Sequence, residues 1–185
     1  MAAASAVTVV AGLPIPSTSP VFLAVVAVHV AVALGCVIAG AVAMLSRKRT
    51  GRHPTFGTIY FWGLAVVFAT AGALSALRWA EDRLLFALAV LALGAAWFGR
   101  TAMRRRWSGW PRLHIAGMGS SYILLLTAFY VDNGKNLPLW RDLPPIAYWL
   151  APAAIGLPLM IYAMLRHPVV RANGEQQGWR TPPGA

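Results

Sequence analysis

Four histidines and a single cysteine are the residues best suited to ligation, proton handling or nucleophilic chemistry in this chain. His29 lies inside a long apolar run, whereas His53, His114 and His167 each stand at the edge of one. Imidazoles in such positions can ligate haem iron or another metal, or carry a proton through an apolar medium. His29 is the most demanding case, because an ionisable side chain in hydrocarbon is costly and by default marks a function or a specific partner. Thr70 and Thr127 fall at similar heights on neighbouring apolar segments. A neutral His29 donating to one of these hydroxyls, or to a carbonyl released by Pro152, is the structural alternative to ligation. His53, His114 and His167 are equally readable as interfacial residues beside helix ends, and RHP recurs at Arg52–Pro54 and Arg166–Pro168. The usual metal spacings HxxxH and HExxH are absent, and one cysteine excludes a disulfide framework. No carboxylate pair lies within an apolar run, which argues against acid–base enzymology.

The elements that must position these residues are membrane spans. Hydrophobic residues make up 58% of the 185 positions and charged residues only 11%, against the ~25% charge usual for soluble domains. A net charge of +11 would suit nucleic acid if spread over a soluble face. Here the basic residues cluster between apolar runs, so a lipid bilayer is the expected partner and nucleic acid is not. The expected fold is all-α, an integral membrane bundle of five transmembrane helices over 20–45, 56–77, 84–99, 113–131 and 145–165. Residues 1–19 read as an extended extracytoplasmic tail, 20–167 as the transmembrane domain, and 168–185 as a cytoplasmic tail expected to be disordered. The third run is short, which has Arg83 and Arg100 snorkelling at its ends. Pro152 and Pro158 should kink the fifth span.

Twelve Lys and Arg fall in the first and third loops and the C-terminal tail; four fall on the other side, mixed with acids. The positive-inside rule then predicts an N-terminus outside, a C-terminus in the cytoplasm and residence in the plasma (inner) membrane, with anionic lipid facing the basic loops. Tryptophans near both ends of the spans fit an aromatic belt. Gly35 and Gly40 on the first span, and Gly117 and Gly119 on the fourth, are candidate helix-packing positions. Homo- or hetero-oligomerisation in the membrane is open.

His29 with the glycines that follow it, the basic loop, GRHPTFG, and HIAGMGSSYILLLTAFYVDNGKNLPLW followed by YWLAPAAIGLPL together resemble a bacterial family of multi-helix membrane proteins. That family is a domain of unknown function whose members pair an intramembrane histidine with an HRxxG- or HPxxG-like element. The resemblance implies an integral membrane protein and no activity. Three functions stay open at this point. They are a non-enzymatic subunit or assembly partner, a redox protein holding haem b or a metal on His29, His53, His114 or His167, and a small transporter component.

Overall fold

The structure is a computed structural model of the full chain, and it describes residues 8–10, 13–15, 19–46, 51–138, 140–166 and 170. Five helices account for most of these residues: α1 (Pro20–Leu45), α2 (Arg52–Leu77), α3 (Trp79–Arg104), α4 (Trp110–Asn133) and α5 (Pro145–Arg166). Each is long and apolar enough to cross a membrane. Their surfaces agree, since large apolar side chains such as Ile38, at 63% exposure, and Leu159, at 65%, stand outside the helix packing. Soluble monomers rarely expose apolar area on that scale. The architecture is therefore all-α and fits a multi-pass membrane protein. Within the segment read as an extended tail lies a small antiparallel ribbon, β1 (Thr8–Val10) and β2 (Leu13–Ile15), with Val9 opposite Pro14. The tail expected over 168–185 lies outside the described residues except for Val170.

α1 matches the expected span 20–45, whereas the other four helices overrun the apolar stretches that announce them. α1 opens on Pro20, whose missing N–H is an orphan there in any case. α2 starts at Arg52 rather than at Phe56, since Pro54 in the first turn needs no intrahelical donor. α3 runs for 26 residues, so Arg83 and Arg100 lie within the helix instead of marking its ends. Glu81 and Asp82 in its first turn favour the positive end of the helix dipole, and Arg78 pairs with Glu81 there. α5 is one helical element through both Pro152 and Pro158.

The chain divides into two compact units, Met1–Val90 with Asp132–Asp142 and Leu91–Val131 with Leu143–Ala185. In the first, α1 and α2 form an antiparallel hairpin. Phe86 of the first half of α3 stacks on Phe68 of α2 at 5.7 Å between ring centroids. In the second, the remaining half of α3 meets α4 backbone to backbone at Gly99 and Gly117. α4 and α5 interlock reciprocally: Met160 occupies the space over Gly119, and Ile123 occupies the space over Gly156. Both pairs are four residues apart on their helices, as antiparallel neighbours require.

Candidate functional site

The polar groups inside the helices are few, and several of them join one helix to another. In the α1–α2 hairpin, three contacts at successive depths set the register. His29 Nδ1 lies 2.8 Å from Thr70 Oγ1. Further along, Cys36 is buried with its thiol toward the carbonyl oxygen of Tyr60, at 3.8 Å. A Cβ placed on Gly63 would come within 2.6 Å of Cys36 Sγ, so glycine is what admits the sulfur. Near the far end, His53 Nδ1 lies 2.8 Å from the carbonyl oxygen of Ala43.

The tautomers follow from the partners. A carbonyl only accepts, so His53 Nδ1 carries a proton and donates to Ala43. Ala43 belongs to the last turn of α1, where carbonyls lack an intrahelical partner. His53 therefore caps the helix that precedes its own. Ser46 closes the same end, with both its backbone N–H and its hydroxyl donating to Val42. At His29 the partner is a hydroxyl, which can donate or accept. The single Thr70 hydroxyl proton already has the carbonyls of Val66, at 2.9 Å, and Val67, at 3.0 Å, within reach on its own helix. Thr70 Oγ1 then accepts from His29 Nδ1–H. The result is a short chain, His29 Nδ1–H to Thr70 O–H to the α2 backbone, that leaves none of its donors dry.

In the second unit His114 Nδ1 donates to the carbonyl oxygen of Gly99 at 3.1 Å. This bond lies one helical turn from Gly117, where a Cβ would sit 2.6 Å from Gly99 Cα and 2.7 Å from the carbonyl oxygen of Ala95. Two facing glycines let the backbones approach, and the approach puts the Gly99 carbonyl within reach of the imidazole. Ser121 and Thr127 are buried and donate to carbonyls of their own helix, Met118 and Ile123, as hydroxyls commonly do in apolar helices. No buried side-chain nitrogen or oxygen among the described residues is left without a partner.

The histidines singled out in the sequence are thus placed as follows. His29 and His53 lie in one hairpin. His53 is bonded at the level of Ala43, fourteen positions beyond His29 on α1, or ~21 Å along the axis. That separation is too great for the two to ligate one iron. His114 belongs to the other unit, and His167 lies outside the described residues. Among the described residues, no group of three or more His, Cys, Asp or Glu could hold a metal ion. Of the four glycines expected at packing positions, Gly117 and Gly119 make close approaches and Gly40 is buried. Gly35 is exposed, and a Cβ there would meet nothing within 4 Å. Gly63, Gly99 and Gly156 make close contacts that their sequence context does not announce. Gly99 resembles the end of an apolar run, and the other two lack a small neighbour four residues away that would announce a packing face. No family model, curated protein or solved structure matches this chain.

Proposed function

We propose that this chain is a non-enzymatic integral protein of the plasma (inner) membrane, a subunit or assembly partner whose histidines hold its helices together. The observation that carries this reading is that each described histidine commits Nδ1 to a neighbouring helix: His29 to Thr70, His53 to Ala43 and His114 to Gly99. The proposed orientation, N-terminus outside and C-terminus in the cytoplasm, is supported by the twelve-to-four distribution of basic residues. The resemblance to a bacterial membrane family of unknown function accords with the same reading.

The haem or metal alternative draws on the same bonds. A protonated Nδ1 puts the lone pair on Nε2, the arrangement that orients many ligating histidines. The two readings separate on one experiment, the absorbance spectrum and metal content of the detergent-purified protein. A colourless protein without stoichiometric metal is expected. A Soret band, or one metal per chain that is lost in His29→Ala, would replace the structural reading with a redox one.

A further inference from the structure

The turn from Arg104 to Arg112 joins α3 to α4 and lies wholly within the second unit. Arg104 closes α3, Arg105 and Arg106 follow, and Arg112 lies in the first turn of α4. All four are exposed. No acidic residue occurs from residue 83 to residue 131, so the local sequence supplies no counter-charge. The side-chain ion pairs found among the described residues, Arg78 with Glu81 and Arg141 with Asp142, involve none of the four.

The backbone of this turn is unusual. The Trp107 N–H reaches the Ala102 carbonyl at 3.2 Å, and the Arg106 N–H reaches that of Met103 at 3.4 Å. This two-bond helix ending places the residue after the cap in the left-handed region, where glycine is the usual occupant. Here the occupant is Arg106, at φ +52°. A side chain in that conformation is disfavoured, and strained residues of this kind cluster where a surrounding structure holds them for a purpose. Arg106 is held by its guanidinium, which lies 4.8 Å from the centroid of the Trp110 ring. Trp107 packs edge-on against Phe98 at 5.8 Å. A guanidinium over an aromatic ring spends its charge on the ring face and can still offer N–H donors to an oxyanion.

We propose that this turn binds the phosphate of an anionic phospholipid headgroup. Arg106, seated over Trp110, is its central donor, Arg104, Arg105 and Arg112 supply the surrounding charge, and the two indoles sit at the interface. The proposal rests on the membrane reading above but not on which side of the bilayer the turn faces. Charge complementarity selects the occupant, because the bilayer surface is the one concentrated source of phosphate monoanions that a turn between two spanning helices must meet.

The test is native mass spectrometry of the full chain released from bilayers of phosphatidylcholine mixed with phosphatidylglycerol. Retention of phosphatidylglycerol over phosphatidylcholine is expected. At about fivefold per basic residue near an anionic surface, Arg104→Gln with Arg105→Gln and Arg112→Gln should weaken that retention on the order of a hundredfold. Arg106→Gly should also weaken it, although glycine suits the left-handed backbone better than arginine does, so misfolding of the turn cannot account for the loss. Arg83→Gln with Arg141→Gln should change nothing. Equal retention of the two lipids by the parent chain, or undiminished phosphatidylglycerol on the triple variant, would overturn the proposal. Displacement of the lipid by an equal concentration of inorganic phosphate would overturn it too, by assigning the site to the free anion. Alkaline carbonate extraction separates the two levels of failure. A chain released by carbonate refutes the membrane reading itself, whereas a retained chain without lipid preference refutes only the headgroup site.

Discussion

Replacing Thr70 with valine removes one hydroxyl at nearly constant shape, and the consequences follow from which group donates. Because the Thr70 hydroxyl proton is shared between the carbonyls of Val66 and Val67, Thr70 Oγ1 is assigned as the acceptor from His29 Nδ1–H. Thr70→Val therefore leaves an imidazole N–H inside the apolar bundle with no acceptor, at a cost of about 1–3 kcal/mol. His29→Leu is the milder change. It removes the donor, and Thr70 keeps its helical carbonyls, so no polar group is left unpaired. The two substitutions should be unequal, with Thr70→Val the more damaging. In the His29→Leu background, Thr70→Val should lose most of its effect. The coupling from such a double-mutant cycle should reach the upper part of the range measured for hydrogen bonds between membrane helices, about 0.6–1.7 kcal/mol. Reversible unfolding in mixed micelles or bicelles measures all four corners. A neutral Thr70→Val, or the same penalty with and without His29, would refute the assignment of donor and acceptor.

The other contacts make sharper contrasts. Gly117→Ala sets a methyl 2.6 Å from Gly99 Cα; it should cost about 1–3 kcal/mol and lengthen the His114–Gly99 bond. Gly35→Ala, whose methyl meets nothing, should be neutral or gain up to about 1 kcal/mol of helix propensity. The same unfolding assay reads both. Gly63→Ala drives into Cys36 Sγ and should destabilise the hairpin; adding Cys36→Ala should restore much of the loss, and a pair that merely adds would contradict the close approach. His53→Ala should cost about 1 kcal/mol by uncapping the Ala43 carbonyl, with faster amide exchange confined to the last turn of α1.

How much of this the sequence discloses depends on the physical signal each feature leaves. Five apolar runs announce five helices because a bilayer demands about twenty apolar residues in sequence. The same signal misplaces their ends. α3 continues past its apolar centre into WAEDR and TAMR, where charged side chains at the membrane surface carry no penalty to mark a stop. That His29 needs a polar partner at its own depth is legible, but Thr70, Thr127 and a carbonyl released by Pro152 are equal candidates in sequence, and only the packing of α1 on α2 selects Thr70. That His53 reaches back to Ala43 is not legible. A backbone carbonyl has no residue type, and the bond depends on how the first turn of α2 packs against the last turn of α1. The glycine contacts divide in the same way: HIAGMGSS advertises Gly117, but nothing in sequence tells the close-packed Gly63 from the exposed Gly35. Arg106 is the hardest case. Among three consecutive arginines, no residue type identifies which one adopts the left-handed conformation, because the two hydrogen bonds that define the turn are made by the backbone.

The central claim, that the histidines are hydrogen-bonded ties between helices, is tested most directly by ring nitrogen resonances. Solid-state NMR of histidine-labelled protein in lipid bilayers reports the protonation of each ring nitrogen. The account predicts a proton on Nδ1 of His29, His53 and His114, with the His29 signal changed by Thr70→Val and the others unmoved. An Nδ1 without a proton at any of the three, or an Nε2 shifted by a bound metal, would contradict it.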